Sequence, residues 1–257
     1  MEDAALPLTT HLAELRNRIV KILVAWIAGA LAAWSSSETI FDQLLAPAVQ
    51  ALGENGVLQA IAPTEIFFTY LKSALLAGFG LALPIIFWQI WAFVAPGLYP
   101  SEKRVAVPFV LISTVLFLSG AAFGYSFVFP LIFDFFVSFD SANVVSAWTM
   151  SEVFTLTTRL ILAFGAGFEM PVVVFFLAVS GILEPRQLLG GFKYAVLVSF
   201  VMAAVLTPPD VISQVMLAVP LLALYLLGVG VAYVFAPPRR DTADDAIAEP
   251  PEREGAA

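Results

Sequence analysis

From residue 19 onward the chain reads as long apolar runs separated by short polar breaks. Six runs stand out, at about 19–36, 66–94, 105–128, 151–179, 192–206 and 212–235. A bilayer-spanning helix needs roughly 20 apolar residues, and most of these runs reach that length. They predict an all-α integral membrane protein with a six-span core over 19–235. Residues 1–18 precede it as an amphipathic lead-in, because His11, Leu12, Leu15 and Ile19 fall on one helical stripe.

The segment 38–60 has a different pattern. Ile40, Phe41, Leu44 and Leu45 mark one face and Asp42 and Gln43 another, with Pro47 further along. It predicts a short helix lying at the membrane surface, started by a capping box between Ser35 and Glu38. The fifth run is only about 15 residues long, and Thr207–Asp210 (TPPD) turns the chain at once into the sixth. Spans five and six must then form an antiparallel hairpin too short for a roughly 30 Å hydrocarbon core, which predicts local thinning of the bilayer.

Composition agrees with the pattern. Hydrophobic residues make up 60% of the chain and charged residues 12%, and the mean hydropathy is +0.93. Soluble domains are closer to half apolar and a quarter charged. There is no cysteine and a single histidine, His11, outside the apolar runs. Disulfides, thiolate metal sites and histidine relays are thereby excluded, and no cofactor, metal or nucleic-acid partner is expected.

The position of the charge says more than its net value of -8. Ten of the twelve basic residues fall in the N-terminal segment, the loops 95–104 and 180–193, and the tail. With six spans all ten lie on one side, so both termini are expected in the cytoplasm. A cleavable leader within 1–34 would spoil this distribution. Residues 236–257 carry six acids and three arginines among prolines, and are expected to be a disordered cytoplasmic tail.

An internal repeat appears at an offset of 87 residues, between EIFFTYLKSALLAGFGLALPII from Glu65 and EVFTLTTRLILAFGAGFEMPVV from Glu152. Glu65 pairs with Glu152, Lys72 with Arg159, Gly78 and Gly80 with Gly165 and Gly167, and Pro84 with Pro171. Spans two and four are therefore expected to be equivalent and parallel. Pro171 clashes with the Gly167 carbonyl and should bend its helix. Glu169 has no counterpart, since Ala82 stands in its place. A charge at mid-span costs roughly 2.5–3.5 kcal/mol on insertion scales. Glu169 is either a neutral acid bonded to backbone freed by Pro171 or a polar contact for a substrate or partner helix. Lys72 and Arg159 read as interfacial anchors.

HLAELRNR at 11–18, PTEIFF at 63–68, FWQIWAFVAPGLYPSEKR at 87–104, FGAGFEMPV at 164–172 and LTPPD at 206–210 resemble the TatC family, the core membrane subunit of the twin-arginine protein translocase. The resemblance runs from residue 9 to about 235. It implies six helices in a cupped, concave arrangement in the cytoplasmic (inner) membrane of a prokaryote. It implies a receptor for twin-arginine signal peptides that exports folded proteins using the proton-motive force. TatA- and TatB-type single-span proteins and further copies of the chain would be its partners in the bilayer. By position, Glu14 and Glu102 would hold the signal arginines, Arg16 would orient Glu14 or the neighbouring loop, and Phe93 would belong to the same surface. Glu169 and Gln214 would be intramembrane polar contacts. Pro47, Pro63, Glu65, Pro171, Pro209 and Asp210 would be structural or outer-side motif residues. A small-molecule or ion secondary transporter using Glu169 is the competing class, although few polar groups accompany it at mid-membrane.

Overall fold

The computed structural model describes residues 8–53, 56–94, 106–141, 143 and 146–235. Apart from short connecting segments they are helical: α1 (Leu8–Ala33), α2 (Ser37–Ala51), α3 (Glu65–Val94), α4 (Ala106–Phe123), α5 (Phe129–Val137), α6 (Met150–Phe168), α7 (Met170–Val179), α8 (Pro185–Gly190), α9 (Phe192–Leu206) and α10 (Val211–Phe235). Five stretches are long and apolar enough to cross a membrane, and α9 is a shorter apolar helix. Loop 95–104, with Glu102, and tail 236–257 lie outside the described residues.

Several boundaries differ from the sequence pattern for physical reasons. The Ser35–Glu38 capping box does not form. A single 3₁₀ turn, Trp34–Ser36, carries α1 into α2, and the Ser37 amide donates to the Trp34 carbonyl. The helical backbone thus runs almost unbroken through Ser35, and the cap position of α2 falls on Ser36, which makes no side-chain capping hydrogen bond. α2 then ends at Ala51, before Gly53, which adopts φ 84°. The third run also does not stop at 128. A π-turn over Gly124–Val128 leads directly into α5. Pro130 sits in the first turn of α5, where a missing amide is tolerated, and the register shift upstream absorbs its ring.

The two repeat helices start side by side. Gln59 and Thr149 form a parallel bridge, with the Gln59 amide donating to the Trp148 carbonyl and the Met150 amide to the Gln59 carbonyl, each at 2.9 Å. Glu65 reinforces the join. Its carboxylate accepts from Ile61 and Ala62 at the start of α3, at 2.8 and 3.3 Å, and from Ser151 at the start of α6, at 3.0 Å. α3 and α6 therefore run parallel from a common level.

Bare backbone allows the closest packing. A Cβ on Gly78 would collide with the Ala30 amide nitrogen, so α3 and α1 meet backbone to backbone. Gly120 likewise meets the Phe164 carbonyl, joining α4 to α6. The main core lies among α2, α5, α6 and α10, where Leu45, Phe129, Phe133, Leu160, Phe164 and Leu217 are fully buried. Elsewhere the apolar side chains face outward, as on α1 with Leu23, Val24, Ile27 and Leu31. Lipid, not water, is the solvent that accepts such a surface.

Candidate functional site

At the N-terminal end of the molecule, α1 and the end of α3 bring four side chains together. Glu14 and Arg18 are one helical turn apart, and Arg18 Nε donates to Glu14 Oε1 at 3.1 Å, with Nη2 donating to the same oxygen. Arg18 Nη2 also donates to the Ala92 carbonyl at 2.9 Å, which fixes α1 to α3. His11 stacks on Phe93 with ring centroids 4.5 Å apart. Glu14 is thus presented on a braced helix face. Both Arg18 contacts use Oε1, and Oε2 has no partner among the described residues. The side chain that contacts Glu14 is Arg18; Arg16 is exposed and forms no ion pair among the described residues. Sequence reasoning passed over Arg18, although its i,i+4 spacing from Glu14 was a usable signal.

The second feature is Glu169, at the joint between α6 and α7. Pro171 has no amide for the Gly167 carbonyl, and the helix breaks two residues earlier, with Glu169 as its cap. The side chain is half-buried, and its Oε1 has no hydrogen-bond partner. The Ser113 hydroxyl of α4 faces it, alongside the Phe117 backbone. Ser113 in turn accepts from Trp91 Nε1 of α3 at 3.3 Å. A polar line from α3 through α4 to α6 therefore crosses an otherwise apolar interior. The shared bend expected at Pro84 is absent as a break: α3 continues through it as one helix.

Gln214 lies elsewhere. Its Nε2 donates to the Phe200 carbonyl at 2.9 Å and ties α10 to α9. Gly167, two residues before Glu169, packs on Leu221, seven residues or about 10 Å along α10 from Gln214. The two polar groups are separate contacts. Asp210 caps α10, its Oδ1 accepting from the Ser213 amide at 2.7 Å, and Pro209 precedes it in the turn. Pro47 is buried inside α2, Pro63 is exposed in the turn before α3, and Pro171 is buried against Gly228 of α10.

Apolar helices of membrane-spanning length, an acidic group braced at one end and the interior carboxylate of Glu169 define a multi-pass helical membrane protein. The family model "Sec-independent protein translocase protein (TatC)" matches residues 10–220. The chain is 41% identical to the TatC of Desulforapulum autotrophicum over 96% of its own length and 92% of that relative. It is 39% identical to the TatC of Helicobacter pylori strain J99, covering 93% of each. A solved "Twin Arginine Translocase Receptor- TatC" superposes with TM-score 0.79 at 35% identity, covering 87% of this chain and 98% of that one. The chain belongs to the TatC family and is a membrane component of the twin-arginine translocase. A small-molecule or ion transporter built on Glu169 finds no support among these relatives.

Proposed function

We propose that this chain is the receptor within the translocase for twin-arginine signal peptides of folded cargo. The observation that carries the reading is Glu14, braced by Arg18 through one carboxylate oxygen while the other stays open. A guanidinium is planar and always charged, and it pairs with a carboxylate by charge-assisted bonds that a lysine cannot match in geometry. Glu102 supplies the second acid and Phe93 an aromatic wall. Arg16, exposed on the same helix, contacts the peptide or a partner.

In this reading both termini face the cytoplasm and the membrane is the inner membrane of a bacterium. Glu169 and Gln214 offer polar contacts, at different depths, to the signal peptide or to helices of TatA- and TatB-type partners. Several copies assemble with those partners, and the proton-motive force drives export. Support comes from the positive charge on the N-terminal face and from the family resemblance.

The test is binding of the detergent-solubilised full chain to a twin-arginine peptide and to its Lys-Lys counterpart. A charged hydrogen bond contributes about 1.5–3 kcal/mol. Glu14→Gln should therefore weaken binding of the arginine peptide about tenfold or more, and adding Glu102→Gln should abolish the preference for arginine. Binding that is indifferent to Arg or Lys in the wild type would sink the receptor reading.

A further inference from the structure

Lys72 and Arg159, seven residues into their respective repeat helices, converge on one cavity of about 480 Å³. Its walls come from α1, α3 and α6 and are apolar, with Trp26, Phe79 and Leu162 prominent. No acid lines it. Neither cation has an ion pair or a hydrogen bond among the described residues. The acid whose field reaches Lys72 is Glu65, and that carboxylate already accepts three backbone amides. Glu152, one repeat on, is engaged with Thr149 at its own helix start. Thr158, whose hydroxyl oxygen lacks a partner, stands on the same wall as Arg159. Two cations without a direct ion pair beside an apolar slot call for a ligand with an anionic head and an apolar tail.

Depth identifies the source of that ligand. Arg159 also lines an adjoining recess of about 550 Å³, which Glu152 lines too and whose far wall is Leu206–Pro209, the turn at the end of α9. α9 has 15 residues, which spans about 22 Å, against roughly 30 Å of hydrocarbon. The polar end of this short helix therefore sits level with Arg159. Where a bilayer thins to match such a helix, its headgroups descend to that level. Long cationic side chains reach toward them at the same height.

We propose that the Lys72–Arg159 cavity binds one anionic phospholipid from the leaflet opposite the N-terminal face. The phosphate lies between the two cations, and an acyl chain lies against Trp26, Phe79 and Leu162. The site joins the two repeats through a ligand, at the level where α3 and α6 are already tied by protein. It is distinct from the Glu14 face and does not depend on signal-peptide binding.

Native mass spectrometry of the full chain in mild detergent tests this, with titration by phosphatidylglycerol or by phosphatidylcholine of the same acyl composition. Wild type should hold phosphatidylglycerol at about tenfold lower concentration. Lys72→Gln with Arg159→Gln should erase the preference. The exchange Lys72→Arg with Arg159→Lys should keep it, as should Arg186→Gln with Lys193→Gln at the opposite face. Monodisperse elution and wild-type helicity confirm that each variant is folded; the two single Gln variants, each expected to lower the preference, serve if the double one is not. Equal retention of the two lipids by wild type would overturn the proposal, as would a preference that survives the Gln pair. Displacement of the lipid by millimolar inorganic phosphate would overturn it in favour of a free-anion site. In native membranes, a photoreactive residue at Leu162 should capture lipid, and capture of a protein helix instead would also overturn it.

Discussion

Carboxylates carry three different tasks in this chain, and their surroundings decide which. Glu65 is consumed by three backbone amides and holds two helix starts together. Glu65→Gln replaces one acceptor oxygen with an amide nitrogen that cannot accept, and a charged bond to a backbone amide contributes about 1.5–3 kcal/mol. It should therefore lower the thermal midpoint in detergent while leaving Arg-peptide affinity unchanged, which circular dichroism and the binding assay together would check. Asp140 anchors its loop by accepting from the Ser146 amide and hydroxyl. These bonds favour the charged form and hold its carboxyl below the usual range. The sign follows: the loop order it confers is present above the unfolded-state pKa and fades as pH falls through the lower folded value. Hydrogen exchange at the Ser146 amide should accelerate in acid beyond the intrinsic rate, and Asp140→Asn should show the faster exchange already at neutral pH. Glu14 keeps one oxygen open among the described residues, the arrangement that the proposed contact with an incoming guanidinium requires.

At the scale of elements, glycine and proline set where helices touch and where they break. Gly78 and Gly80 are two residues apart and so face roughly opposite sides of α3; a Cβ on Gly78 would collide with α1 while one on Gly80 would meet nothing within 4 Å. Gly78→Ala should destabilise by about 1–3 kcal/mol through overpacking, and Gly80→Ala should be neutral or slightly stabilising. Thermal unfolding of the two variants in detergent separates these outcomes. The repeat thus matched residue letters without matching their neighbours. Gly167 packs on Leu221, whereas its partner Gly80 is open. The Pro171 break was legible because proline removes a specific amide. That Pro84 leaves α3 continuous was not: Pro84 is exposed on its helix, whereas Pro171 is buried against Gly228 of α10, a difference of surroundings that the repeat does not encode. The pairing of Arg18 with Glu14 was legible in their spacing, but the other half of its role was not. Its bond to Ala92 depends on α1 crossing α3, which no local pattern encodes.

Over the whole molecule, the apolar runs and the one-sided basic residues made the helical membrane class readable from composition and order alone. The cavity shared by Lys72 and Arg159 was not readable, because it needs the parallel side-by-side start of α3 and α6. The short α9 has a consequence at the same scale. Reconstituted into nanodiscs of increasing acyl length, the protein should lose thermal stability once the hydrocarbon exceeds what the α9–α10 side can match. A midpoint that does not change from thin to thick bilayers would argue against local thinning.

The Glu65 junction also bears on the order in which the chain is assembled. Two of its three amide donors, Ile61 and Ala62, are near neighbours, but the third, Ser151, is separated by 86 positions. The Gln59–Thr149 bridge spans a similar interval. As the polypeptide emerges from a ribosome, the first helices enter the lipid with this latch open. It closes only after α4 and α5 have been threaded and the chain has returned to the same face. The first half of the protein is therefore a waiting half, finished by residues that have yet to be synthesised.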